Sequence, residues 1–411
     1  MRTLPAGWRE ATLGEVVVDA QPGFASGSHA ADGDILHLRP MNITPDGRLD
    51  TDTGKFVTTS AGALRTVFGD VLFNNTNSLR WVGKTAFVDS TEPLAFSNHM
   101  TRLRVSDRLD ARFLALYLHF RQESGFFERI ASNHVNQASV ATKRLMQIDV
   151  VVPPLAEQRR IVAILEDHLA HLDAACNALA RAVADAQAMA LHQISGLVRR
   201  AVLSCPMTTV GQQAVLIQYG TSQKTAPQTS NADIPVLRMG NLQDGRVVWD
   251  NLKYLPPASE GLGDLMLVDG DLLFNRTNSL ELVGKSAVFE AGPRASFASY
   301  LIRVRFGAAA LPQWASMTIN SPFGREYVRR VASQQVGQAN VNGTKLKAFP
   351  LPLPSINDQR RFVDTYQQTV DARVRVEELV ETASARAITL RRSLLAAAFR
   401  GDLTRDFRED D

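Results

Sequence analysis

The sequence predicts an α+β protein. Two homologous mixed α/β domains are separated by two long helices, which form an antiparallel coiled coil with pseudo-twofold symmetry. Three observations lead there: a repeat running through the 411-residue chain, two long stretches of three-and-four apolar spacing, and β-rich, turn-rich segments ahead of each stretch.

The repeat is clearest at Gly69–Asp89, "GDVLFNNTNSLRWVGKTAFVD", and Gly270–Glu290, "GDLLFNRTNSLELVGKSAVFE", which agree at 13 of 21 positions at an offset of 201. The same offset relates Ser132–Val162, "SNHVNQASVATKRLMQIDVVVPPLAEQRRIV", to Ser333–Val363, "SQQVGQANVNGTKLKAFPLPLPSINDQRRFV". Upstream, Thr12–Ser26 lies over Thr209–Gln223 at an offset of 197, so small insertions in the second copy account for the drift. Each copy is about 200 residues, enough to bury a core of its own.

The Gly-Lys-Thr ending at 83–85 invites comparison with a phosphate-binding loop, G-x-x-x-x-G-K-[ST], which must open a helix. The first glycine is replaced by Ser78, and by Ser279 in the second copy. After Gly-Lys both copies continue with β-prone residues, T-A-F-V and S-A-V-F. The stretch therefore reads as strand (Val71–Phe73), polar turn and strand (Ala86–Val88).

In chain order the elements are a first β-rich domain over residues 1–152, with a helix at Ala111–Phe120; a helical spacer over 153–203; a second domain over 204–350; a second spacer over 351–400; and an acidic tail, 401–411. In the first spacer Val162, Leu165, Leu169, Leu172, Cys176, Leu179, Val183, Ala186, Ala190, Gln193 and Leu197 alternate spacings of three and four. The second gives Phe362, Tyr366, Thr369, Arg373, Val376, Val380, Ala383, Ala387, Leu390, Leu394 and Ala397. Pro153-Pro154, Pro352 and Pro354 stop the strands that precede them. Helices of about 45 residues at ~1.5 Å per residue make rods near 65 Å, longer than one such domain, which favours pairing with each other.

The formal net charge is +3, too small to name a partner. No apolar run approaches the ~20 residues of a membrane span. The start "MRTLPAGWRE" lacks a secretory apolar core, so no membrane association and a cytoplasmic location are expected. Cys176 and Cys205 make neither a disulfide framework nor a metal site. All eight histidines fall at or before His192, so an activity shared by both copies cannot depend on histidine. No H-E-x-x-H, C-x-x-C, G-x-S-x-G or amino-methyltransferase D/N-P-P-Y/F occurs, and His168 with His171 reads as a solvated helix face. Binding without catalysis is expected.

The duplicated turns are rich in Asn, Gln, Thr, Ser and Arg, side chains that hydrogen-bond base edges and phosphates. In the first copy the candidate DNA-contacting residues are His29, Asn42, Asn75, Asn77, Arg80, Lys84, Asn133, Asn136 and Gln137. In the second they are Tyr219, Thr221, Ser222, Lys224, Asn241, Arg276, Asn278, Lys285, Gln334, Gln335 and Gln338. Positions that differ between copies, such as Asn75 and Arg276, suit the reading of different sequences; Lys84 and Lys285, kept in both, suit phosphates. Asn74 and Asn275 suit turn geometry.

The opening "LPAGWREATLGEV", the strand-turn "GDVLFNNTNS…VGKTAFV", the domain-closing "PPLAEQRRIVAIL" and the terminal "LRRSLLAAAFRGDL" resemble the specificity subunit of type I restriction–modification enzymes, over essentially the whole chain. The resemblance implies a non-catalytic DNA-recognition subunit with two target-recognition domains. Each would read one half of a split, asymmetric site in double-stranded DNA, with the paired helices setting the gap. It also implies docking of two modification (methyltransferase) subunits, to which restriction (translocase/endonuclease) subunits are added. S-adenosylmethionine, ATP and magnesium would belong to those partners, and this chain would carry no cofactor. The alternative is a tandem protein-interaction scaffold organised by the coiled coil.

Overall fold

The computed structural model describes residues 4–26, 33–57, 64–134, 137–335 and 338–406. The chain divides into two compact units, Met1–Leu179 with Thr382–Asp411, and Ala180–Glu381. The division passes through both long helices, α1 (Leu155–Ser204) and α2 (Ile356–Ala398).

In the first unit a four-stranded antiparallel sheet runs in the order Val17–Pro22, Met100–Val105, Val71–Asn74, Thr85–Phe87. Its strand Val71–Asn74 is buried throughout, which explains its unbroken apolar run. Val71 and Phe73 face a core shared with the helix Ala111–Glu123 and α1, while Leu72 faces a smaller cluster with Leu38 and Phe96. That cluster lies under a second sheet, in which Ile35–Leu38 pairs antiparallel with Lys55–Val57 and parallel with Ala95–Phe96. The helix Ala111–Glu123 starts where the Asp110 carboxylate accepts the Arg112 and Phe113 N–H groups at 2.9 and 3.0 Å. Arg9–Thr12 pairs antiparallel with Asp149–Val152, tying the start of the chain to the strand that leads into α1.

The second unit repeats this plan. Its sheet order is Ala214–Tyr219, Leu301–Phe306, Leu272–Asn275, Ser286–Val288. Even the β-bulge recurs, after Val17 in the first unit and after Ala214 in the second. Ile234–Leu237 takes the middle of the second sheet, and Trp314, fully buried, donates its indole N–H to the Pro352 carbonyl at 2.8 Å.

The long helices meet within each unit. In the first, Ile161, Val162, Leu165 and Leu169 of α1 share a core with Leu395, Ala398 and Phe399, and Asp173 pairs with Arg391. In the second, Ile194, Leu197 and Val198 of α1 share a core with Phe362, Gln187 donates to Glu377 at 3.2 Å, and Thr369 donates to Gln193. Within the second unit, as α1 advances from Gln187 to Gln193 its partners recede from Glu377 to Thr369, so the pairing there is antiparallel. Of the predicted seam, Leu172 and Leu394 pack partly buried against the first core, and Leu179, Val183, Val376 and Val380 are half-buried.

One seam position is a correction. Leu390 is 50 % exposed, and Arg391 takes the inward place, its side chain 15 % exposed. From Ala387 the buried stripe steps by four to Arg391, then to Leu395 and Ala398, where a strict heptad steps by three to Leu390. An apolar pattern alone passes over an arginine whose charge is met by an inward carboxylate. Asp173→Ala strips that charge from Arg391 and also from Arg48. The expected loss is about 2 kcal/mol, between exposed and buried pairs; an unchanged urea midpoint contradicts it.

Candidate nucleic-acid interface

The polar turn after the central strand is built on backbone constraints. The Asn74 N–H donates to the Lys84 carbonyl at 2.8 Å, and the Gly83 N–H returns to the Asn74 carbonyl at 2.9 Å. Asn275, Lys285 and Gly284 repeat this at 2.8 and 2.7 Å. Both asparagines are fully buried, and their amides donate to the Trp81 and Leu282 carbonyls. Gly83 has φ +87°, and a Cβ there would lie 2.3 Å from Phe127. Gly284 has φ +84°, and a Cβ there would lie 2.8 Å from Val328. The glycine is thus needed for left-handed backbone packed against a helix, and strand Thr85–Phe87 follows it.

Beyond the turn, two stretches far apart in sequence form one sheet. Thr76–Asn77 pairs antiparallel with Gln137–Ser139, which pairs with Ser132–His134. In the second unit Thr277–Asn278 pairs with Gln338–Asn340, which pairs with Ser333–Gln335. Alternation turns Ala138 and Ala339 into the core and leaves Asn133, Gln137, Gln334 and Gln338 exposed. Asn77 and Asn278 are half-buried, each accepting the next residue's N–H at 2.8 and 2.9 Å. Arg80 is exposed, its guanidinium 4.9 Å from the Trp81 ring centre. Ser222 and Lys224 are exposed in the loop after strand Ala214–Tyr219, and Tyr219 ends that strand. His29 and Asn136, and the Gln335 side chain, lie outside the described residues.

Several expected contacts face inward instead. Asn42 is fully buried: its carbonyl accepts the Arg39 N–H, and its amide donates to the Asp50 and Thr53 carbonyls at 2.9 and 2.6 Å. Asn241 does the same with Arg238, Val248 and Asp250. Lys84, 6 % exposed, donates to the Ile43 carbonyl, and burial lowers its pKa, so the expected phosphate contact is not available. Lys285 is half-buried and donates to Gln243 at 3.2 Å. Asn75 is buried and donates to the Val140 carbonyl at 2.8 Å; Thr221 is buried and accepts the Gln223 N–H at 3.1 Å. Asn42, Asn241 and Thr221 spend short polar side chains on the backbone of their own turns, whereas Asn75, Lys84 and Lys285 reach groups tens of residues away.

Other residues went unnoticed in the sequence. Lys143 and Arg144 are exposed in the short helix just after the polar sheet, and Lys345 and Lys347 lie in its counterpart. A basic residue in both copies was the available signal. Asp70 anchors Arg104 at 2.8 Å, and that hydrogen bond raises the arginine's pKa; Asp271 anchors Arg305 in the same way. The glutamines of the two Q-R-R triplets are fully buried, while the four arginines are exposed. No described helix is long and apolar enough to cross a membrane.

Comparison with known proteins bears on this arrangement. Residues 5–179 match the family model described as the type I restriction modification DNA specificity domain. The chain is 27 % identical to the EcoKI specificity subunit of Escherichia coli K12, covering 92 % of this chain and 84 % of that one. It is 24 % identical to the StySPI specificity subunit of Salmonella potsdam, over 99 % and 92 %. In fold it is similar to a chain from a type I R-M complex studied for its assembly and conformational transition, with a TM-score of 0.74, 18 % identity and coverage of 97 % and 99 %. It is also similar to the HsdS subunit of Thermoanaerobacter tengcongensis, with a TM-score of 0.58, 17 % identity and coverage of 97 % and 98 %.

Proposed function

We propose that the chain is a specificity subunit of a type I restriction–modification system, a reading supported by its similarity to such subunits, and that each unit reads one half of a bipartite, asymmetric site in double-stranded DNA. The paired helices set the unread gap and dock two modification subunits, and restriction subunits join through these. The observation that carries the reading is the polar three-stranded sheet. In both units it gathers the duplicated turn and hairpin into one frame that keeps Gln137 and Gln338, yet Asn133 of one corresponds to Gln334 of the other, and in the turn beside it exposed Arg80 corresponds to exposed Glu281. One frame with different exposed side chains suits two unlike half-sites, because base edges are told apart by donor and acceptor pattern.

S-adenosylmethionine, ATP and magnesium belong, on this reading, to the partner subunits. The loop of this chain closest to a nucleotide cradle does not fit one. Phe127 occupies the space against Gly83, and no helix opens after it.

The test is an exchange of Met1–Val152 for the matching domain of another family member, with genome-wide mapping of methylated bases as the readout. One half-site is expected to change while the other half and the gap persist. A change in both halves, or in neither, defeats the reading. A chain that binds no DNA together with its methyltransferase partner leaves the scaffold alternative.

A further inference from the structure

Within that reading, we propose that Arg276 reads a guanine in the half-site of the second unit, held ready for it by Tyr219. The backbone on which Arg276 stands is the same in both units. Its N–H donates to the Tyr300 carbonyl at 3.0 Å and its carbonyl accepts the Val341 N–H at 2.9 Å; Asn75 makes the corresponding bonds to His99 and Val140, both at 2.9 Å. The side chains on that backbone differ. Asn75 turns in to the Val140 carbonyl and is buried, whereas Arg276 lies half-buried with its guanidinium 5.0 Å from the Tyr219 ring centre.

Two further exchanges come with this one. Tyr219 stands where the first unit has Pro22, and its hydroxyl accepts the Gly343 N–H at 2.7 Å. Gly343 stands where the first unit has Thr142, and a Cβ there would lie 2.9 Å from the tyrosine oxygen. Tyr, Gly and Arg, distant in sequence, thus form one assembly in the second unit, where the first has Pro, Thr and Asn. A tyrosine pinned at both ends is a fixed platform for a planar cation.

The charge balance also points outward. Among the described residues, Arg102, Arg104, Arg303, Arg305, Arg373 and Arg391 each meet a carboxylate, and the inward Arg325 is held by the Val283 and Glu281 carbonyls. Arg276 has no carboxylate, and one nitrogen reaches the Ser299 carbonyl only at a long 3.4 Å; its Nε is buried without a partner, as are those of Arg39 and Arg238. Holding a partly desolvated guanidinium without a counter-charge is unfavourable unless a ligand completes it. The flat fork of arginine matches the two acceptors of a guanine in the major groove, O6 and N7. Stacking on Tyr219 removes rotamer freedom before binding, which lowers the entropic cost of the contact.

Methylated-base mapping in cells carrying the full chain and its partner subunits tests this. In Arg276→Ala, discrimination for guanine at one position of one half-site is expected to fall about 10- to 100-fold, the other positions keeping theirs. Arg276→Lys keeps the charge but not the fork, and is expected to relax the same position with methylation of matched sites largely retained. Tyr219→Ala is expected to relax that position partially and no other, which a merely structural tyrosine would not do. Weakened methylation with unaltered base preference in both arginine variants would mark a phosphate contact and overturn the inference; so would relaxation spread over several positions. If removing the unsubstituted chain changes no methylated motif, the recognition reading itself fails, and this inference with it.

Discussion

Asp271→Ala is expected to cost the second unit about 3–5 kcal/mol, the range for breaking a buried ion pair on one side. The carboxylate is fully buried; it accepts from Arg305 at 2.8 and 3.0 Å and from the Val268 N–H at 3.0 Å, and lies 3.5 Å from Arg303, itself 3 % exposed. Arg303 also donates to the Met266 and Asp264 carbonyls at 2.7 and 2.9 Å. Without Asp271 the Arg303 guanidinium keeps its positive charge in a place that water cannot reach well, and the more exposed Arg305 repels it. Asp271→Asn keeps an acceptor but not the charge and is expected to fall between. Chemical denaturation monitored by Trp249 and Trp314 fluorescence checks the order; an alanine variant as stable as the parent would mean that the carbonyls alone hold the arginines.

Gln158→Ala is the second large effect. The fully buried amide accepts the Asp110 N–H at 2.7 Å and donates to the Arg108 and Pro153 carbonyls at 3.0 and 2.8 Å. Its removal leaves three backbone groups without partners, each worth about 1–3 kcal/mol when buried, and opens a cavity, so a loss of about 3–5 kcal/mol is expected. The damage should concentrate where the helix beginning at Ala111 meets the first turn of α1. Accelerated amide exchange at Asp110 is the local sign, and exchange as slow as in the parent would refute the role. Arg159→Ala, one residue on and exposed, is expected to stay within about 0.5 kcal/mol.

These residues show what was legible in the sequence and what was not. Self-comparison exposed the repeat, and with it the shared sheet plan, because the two copies preserve the apolar positions that make the same core. The helix predicted at Ala111–Phe120 runs to Glu123. The long helices and their pairing were legible because a seam demands a period, and only Leu390 was misplaced, by one residue. Polar side chains have no such period. Gln158 and Arg159 are neighbours in one triplet, one fully buried and the other exposed. Asn42 and Asn75 suited base edges and Lys84 a phosphate, yet whether such a side chain faces water or closes the fold depends on partners from a few to tens of residues away. The arginines at 102, 104, 303 and 305 recur at the repeat's own offset, and extending the comparison through "RLRV" and "RVRF" would have marked them.

Phe399 has a consequence for how the chain is made. Its ring sits 5.5 Å from Phe113, 5.1 Å from Tyr117 and 5.3 Å from Phe120, and Thr404 donates to the buried Glu157 at 2.6 Å. The first unit is therefore finished by residues translated about 280 positions after Tyr117. At about 5–20 residues per second, the aromatic face around Tyr117 waits of the order of 10–50 s for its covering. During that interval nascent chains on one messenger are neighbours with matching unfilled surfaces, and a message truncated before the codons for Leu395 and Phe399 yields a protein whose first half never closes.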